Sequence, residues 1–191
     1  METANLAPTK LDGEGVLPQR SAADGRAIGR DDPAVLAITD FTREAPITVE
    51  EDRQIDAALE DMVRFGVRAL LVVRDRRITG LITSYDIQGE RPLQFLQNST
   101  YEHHRDIRVG HIMTPWTELR GIDWSEVQHA RAGELLEALR HAGVTHLLVV
   151  ERMADGNATV RALASRARLE RQLRLHAHPD APRALNARAG A

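Results

Sequence analysis

A chain of 191 residues with 42% hydrophobic and 28% charged residues has an ordinary globular composition, with room for one medium domain or two small ones. The net charge of -3 argues against a nucleic-acid binder, and the absence of cysteine excludes disulfides, thiolate metal sites and a cysteine nucleophile. The opening run Met1-Glu2-Thr3-Ala4-Asn5-Leu6-Ala7-Pro8 has no basic start and no apolar core, and no apolar run approaches the ~20 residues that span a bilayer. A cytoplasmic protein without direct membrane insertion is expected.

Residues 1–33 mix Gly13, Gly15, Gly25, Gly29, Pro8, Pro18 and Pro33 with scattered charge and no sustained period, the pattern of a disordered arm. From Ala34 the apolar density rises. Pro46 introduces a strand, Ile47-Thr48-Val49, and a helix follows, with Glu50, Glu51 and Asp52 expected in its first turn, Ile55, Leu59 and Met62 on one face and Gly66 as its stop. Val67-Arg68-Ala69-Leu70-Leu71-Val72-Val73 reads as a buried strand, and Arg74 to Arg77 as a turn. The next strand, Ile78-Thr79-Gly80-Leu81-Ile82, runs into a helix start at Thr83-Ser84-Tyr85-Asp86. Pro92 suits the first turn of a further helical piece, and a polar link covers 98–106.

A second unit opens with Val109-Gly110-His111-Ile112-Met113-Thr114-Pro115. Aligning Gly66 with Gly143, an offset of 77 residues, places Val67, Leu70, Leu71, Val72 and Val73 on Val144, Leu147, Leu148, Val149 and Val150, and Leu59 and Met62 on Leu136 and Leu139. After a longer turn, Glu151 to Thr159, Val160-Arg161-Ala162-Leu163-Ala164-Ser165 repeats the stretch around Gly80. The expected fold class is therefore α/β (α+β), two βαββα repeats at 34–97 and 107–175, with a loose tail at 176–191. A unit of about 60 residues buries only ~60% of its unfolded surface, so the two should pack sheet against sheet.

Thr83-x-x-Asp86 has two readings. As a capping box, Thr83 covers a free amide of the helix start and Asp86 reaches back to the Thr83 amide. As a ligand site, the helix N-terminus faces phosphate and the carboxylate accepts from a ribose diol. Gly80 lets another backbone or a ligand come close. His146, in an apolar strand, is expected to be hydrogen-bonded in the core or a cleft. His103-His104 and His176-x-His178 lack the further ligands that a metal site needs, so no metal is expected. Trp116 and Trp124 read as core or dimer contacts. No nucleophile elbow, Walker loop or dinucleotide fingerprint is present, so the chain is not expected to be an enzyme.

The tandem repeat, with Gly80-Leu81-Ile82-Thr83-Ser84-Tyr85-Asp86 closing the first copy and Val109 to Pro115 opening the second, resembles a pair of CBS (cystathionine-beta-synthase-type) domains, the arrangement called a Bateman module. The resemblance implies a regulatory module without a cofactor of its own. Such a module binds AMP, ADP, ATP, S-adenosylmethionine or a similar adenosine-containing ligand, pairs as a homodimer and signals to an unidentified regulated protein. It implies ribose contacts from Thr83 and Asp86, a base site among Ile47, Val67, Ala69 and Ile82, and Gly80 as a further ligand-site position. In the second copy Ser165 survives, but Ala162 replaces the glycine and Arg168 the acidic residue. Arg168 has donors only, so that ribose site is degenerate, while Arg166, Arg168 or Arg171 could meet phosphates in a shared cleft. The alternative is a protein-interaction and dimerisation scaffold whose ligand sites have decayed.

Overall fold

The computed structural model describes residues 28–152 and 158–177. Residues 1–27, 153–157 and 178–191, on which most of the expected arm, part of the expected longer turn and nearly all of the expected loose tail fall, lie outside the described residues.

In chain order the first half holds β1 (Thr39–Asp40), β2 (Thr48–Glu50), α1 (Ile55–Phe65), β3 (Ala69–Arg74), β4 (Arg77–Thr83), α2 (Ser84–Gln88) and α3 (Arg91–Gln97). The second holds α4 (Val109–Ile112), β5 (Thr114–Pro115), β6 (Gly121–Asp123), α5 (Trp124–His129), α6 (Ala132–His141), β7 (His146–Arg152), β8 (Ala158–Ser165) and α7 (Arg166–Ala177). Two four-stranded sheets result, with strand orders β2-β3-β4-β5 and β1-β8-β7-β6. Each joins a parallel pair to an antiparallel hairpin, and the hairpin register slips at Val72/Val73 and again at Val149/Val150, equivalent places in the repeat.

Helix α1 starts later than its acidic run implies. Gln54 is its N-cap, accepting from the Ala57 amide at 2.9 Å, so Glu50 stays in β2, Glu51 and Asp52 form the preceding turn, and only Asp56 lies in the first helical turn. At the other end Gly66 takes φ +67° and the Val67 amide donates to Met62 O, which keeps Val67 out of the strand and starts β3 at Ala69.

The repeats are separate in sequence but crossed in space. The segment that opens each repeat packs on the other one. Ile28, Ala34, Ala37 and Ile38 are buried with Leu135, Leu136, Leu139, Val149 and Leu169, and β1 pairs with β8. In the same manner Ile107, Val109 and Ile112 are buried with Ile55, Ala58, Met62, Leu70 and Ile82, and β5 pairs with β4. Matching hydrogen bonds hold the two crossings: Ala132 N and Gly133 N donate to Asp32 O and Arg30 O, as Val109 N and Gly110 N donate to Arg53 O and Glu51 O. The segments that open the repeats thus cross between the packed units, and Ile28, within the stretch expected as an arm, is buried in a core.

Between the sheets a third apolar layer forms around Leu71, Leu81 and Leu148, flanked by Phe41, Ala69, Ile78, Leu119, Val150, Val160 and Leu163. The sheets therefore pack face to face, as the marginal size of one unit requires. Among the described residues no helix is long and apolar enough to cross a membrane.

Candidate functional site

Strand pairing brings the corresponding ends of the two hairpins to one end of the inter-sheet layer. Ala69 lies opposite Thr83 in the first sheet, and His146 opposite Ser165 in the second. Each hairpin then turns at once into a helix, α2 or α7, whose first amide donates to the residue before the neighbouring strand: Ser84 N to Arg68 O at 3.0 Å and Arg166 N to Thr145 O at 2.9 Å. A cleft of about 280 Å³ opens here, lined by Arg68 and Tyr85 from the first repeat and by Thr145, His146, Ser165, Arg166, Ala167 and Glu170 from the second. Both repeats are needed to build it.

Its chemistry favours anions. The Arg68 and Arg166 guanidiniums have no ion-pair partner among the described residues, whereas Glu170, the one carboxylate of the lining, is held by Arg140 at 3.3 Å. Tyr85, Thr145 and Ser165 add hydroxyls. His146 places Nδ1 3.0 Å from Thr145 Oγ1, and burial pushes its pKa down to about 4, so the ring is neutral at pH 7.

The Thr83/Asp86 pair forms the complete capping box. Thr83 Oγ1 accepts from Asp86 N at 3.2 Å, while Asp86 Oδ2 accepts from Thr83 N at 2.8 Å and Thr83 Oγ1 at 2.7 Å. Asp86 Oδ1 meets Arg91 Nη1 at 3.2 Å, and the same nitrogen donates to Ile112 O at 2.7 Å and Thr114 Oγ1 at 3.1 Å. A carboxylate has about four acceptor positions, and here three donors already take theirs, so a ribose diol would have to displace one of them. Thr83 is only 6% exposed, and neither residue lines the cleft.

Other expected site residues lie elsewhere. Ile82 is fully buried in the core of the first sheet, Ile47 and Val67 are partly buried against that core, and Ala69 belongs to the inter-sheet layer. A Cβ on Gly80 would stand 2.6 Å from Thr114 O, so the backbone that Gly80 admits is that of β5, not a ligand. Arg168 leaves the cleft and donates to Thr39 Oγ1 at 2.7 Å, and Arg171 is exposed outside the lining. Of the expected phosphate contacts Arg166 alone lines the cleft, with Ser165 beside it. Trp124 is covered by the Arg161 guanidinium, 4.2 Å from its ring centre.

Sequence reasoning passed over Arg68, Tyr85 and Arg91. The repeat carried a signal for the first: at the offset of 77 residues Arg68 and Ala69 fall on Thr145 and His146, the two residues that begin the second copy's cleft wall.

Comparison with known proteins agrees with this architecture. Residues 38–91 match the family model of the CBS domain. A 62-residue stretch is 34% identical to the uncharacterized protein YlbB of Bacillus subtilis (strain 168), covering 32% of this chain and 42% of that protein. The match thus spans less than half the length of that curated relative. Among solved structures, an uncharacterized conserved protein from Pyrococcus horikoshii superposes with a TM-score of 0.51 at 20% identity, over 75% of this chain and 93% of the other. A candidate signal-transduction protein with CBS domains from Burkholderia ambifaria MC40-6 superposes with a TM-score of 0.50 at 21% identity, over 78% and 95%. Mixed α/β halves joined face to face through two small sheets define the class. Residues 38–91 match a CBS domain, and the chain has the fold of a CBS pair.

Proposed function

We propose that this chain is a non-catalytic regulatory module that binds an adenosine-containing ligand in the cleft between its two repeats and passes the occupied state to a partner protein. The observation that carries this is the joint lining of the cleft: Arg68 comes from one repeat and Arg166 from the other, and neither has a carboxylate partner among the described residues. A phosphate bridging them favours one relative setting of the two sheets, and that difference in affinity between settings is what a partner can read. At about 280 Å³ the cleft is near the lower end of the ~300–1,000 Å³ typical of ligand sites, so it holds part of a nucleotide and leaves the rest at the mouth. The phosphates belong at Arg68 and Arg166. The ribose belongs toward Thr83 and Asp86, where it competes with Arg91.

The test is a thermal-shift panel of AMP, ADP, ATP, S-adenosylmethionine and cyclic dinucleotides on the purified chain. A ligand at ~100 times its Kd stabilises by ~2.7 kcal/mol. At least one member of the panel should therefore raise Tm by roughly 5 °C or more. No shift with any of them at millimolar concentration removes the proposal.

One observation favours a second reading, a scaffold kept for protein contacts. The side chains at both ribose positions are already engaged, Asp86 with Thr83 and Arg91, and Arg168 with Thr39. A silent panel together with a conserved dimer mass would select it.

A further inference from the structure

The cleft also contains a titratable ring that the adenosine reading leaves unused. His146 begins β7 opposite Ser165, where the first repeat has Ala69 opposite Thr83. Its Nδ1 is in contact with Thr145 Oγ1, and among the described residues its Nε2 makes no hydrogen bond. The charged and titratable groups around it come from every element that closes this end of the cleft: Arg68 before β3, Tyr85 and Asp86 on α2, and Arg166 and Glu170 on α7. Burial is the main cause of its neutrality, Arg166 reinforces it, and the Asp86 carboxylate opposes it.

An anion between Arg68 and Arg166 reverses that balance. It offsets the Arg166 charge felt by the ring and adds negative charge within the same small space, and both effects favour the imidazolium form. We infer that His146 takes up a proton when an anionic ligand enters the cleft, so that occupancy of this site reports pH as well as ligand concentration. The inference rests on the cleft being the ligand site. By linkage, affinity for an anion rises as pH falls through the interval in which the occupied form binds the proton and the empty form does not. Ala69 at the matching position has no such group, so one proton is linked per chain.

The experiment is isothermal titration calorimetry on the full chain from pH 8 to pH 5.5, with AMP and separately with inorganic pyrophosphate, for the wild type and His146→Gln. The probes titrate in this range, but identically for both proteins, so the ratio of affinities isolates the ring. Relative to His146→Gln, the wild type should gain about tenfold in affinity between pH 8 and pH 5.5, the change expected when occupancy returns the ring from about 4 to its ordinary value near 6.5. If AMP binds and the two pH profiles run parallel, the inference is overturned and the adenosine reading stands. If AMP and the rest of the adenosine panel fail but pyrophosphate shows the His146-dependent slope, the inference stands and the adenosine reading falls. Binding of neither AMP nor pyrophosphate overturns the inference, and the thermal-shift panel then decides the adenosine reading. Should His146→Gln not fold, the imidazole NMR signal of His146 in the wild type decides: it should stay neutral across this range in the free protein and protonate within it when pyrophosphate is added, and a signal unmoved by pyrophosphate overturns the inference.

Discussion

Asp86 and Arg168 occupy the same position of the repeat and reach matching threonines by different routes. Asp86 Oδ1 pairs with Arg91 Nη1 at 3.2 Å, and that nitrogen donates to Thr114 Oγ1 at 3.1 Å, whereas Arg168 Nη1 donates directly to Thr39 Oγ1 at 2.7 Å. Thr39 and Thr114 lie in the two segments that cross between the halves. The second copy thus trades a carboxylate and a borrowed guanidinium for one guanidinium on the helix itself, which ties down the same kind of segment. The charge reversal has a structural use.

Arg168→Gln should therefore lower stability by ~1.5–3 kcal/mol, the range for a hydrogen bond to a charged group, while leaving ligand affinity within a few-fold. Asp86→Ala should cost ~0.5–2 kcal/mol through the lost cap, and Asp86→Asn less. Urea melts of the three variants check the stabilities. A loss of AMP affinity in Arg168→Gln as large as in an Arg166 variant would put Arg168 back in the cleft.

The crossed segments make each half dependent on the other. A fragment of residues 28–98 keeps β1 without β8, and lacks Ile107, Val109 and Ile112 from its own core. It should show no cooperative thermal transition by circular dichroism. In the full chain Ile107→Ala should cost ~2–4 kcal/mol, because its fully buried side chain leaves a cavity behind. A fragment that melts cooperatively would show that the crossing is dispensable.

This crossing marks the limit of what the sequence reveals. The duplicated Val-x-x-Leu-Leu-Val-Val strands, Gly66 and Gly143 at positive φ and the Thr83/Asp86 cap were legible because each depends on local backbone chemistry or side-chain period. Which copy Ile38 or Ile112 packs against depends on strand pairing across more than a hundred residues in one case, Thr39 with Leu163, and no local pattern encodes that. The cleft was half legible for the same reason. Ser165 and Arg166 follow from the motif, but Arg68 joins them only when the two sheets are face to face. Val67 and Ile82 read in the sequence as core residues before ligand contacts, and they lie against or within the core of the first sheet, while β5 is the backbone that approaches Gly80.

Acid should weaken the fold through His146. In the unfolded chain the ring titrates near 6.5 and in the folded chain near 4, so between these values the unfolded state holds more protons. Stability should fall as pH drops from 6.5 to 4, by on the order of 3 kcal/mol in total, and should not depend on this residue above 6.5. His146→Gln should flatten that limb in denaturant melts taken across the range. An acid limb of unchanged steepness would mean that the ring is protonated in the fold.

Val63 is 77% exposed, Phe65 51% and Leu93 59%, all on helices of the first half. Exposed apolar side chains on these helices fit a homodimer formed through that half, a proposal for the assembly. Light scattering at tens of micromolar should give twice the mass of 21.2 kDa for the wild type and the monomer mass for Val63→Glu/Phe65→Glu. A monomeric wild type removes the dimer.

The claim on which the rest depends is that both repeats hold one ligand in the cleft between them. Calorimetric titration of AMP into the wild type, Arg68→Gln, Arg166→Gln and the double variant tests it most directly. Each single change removes one charge-assisted contact worth ~1.5–3 kcal/mol, so affinity should drop at least tenfold in each, further in the double variant, with about one ligand bound per wild-type chain. AMP binding that is indifferent to both arginines, or two equivalent sites per chain, would contradict the account.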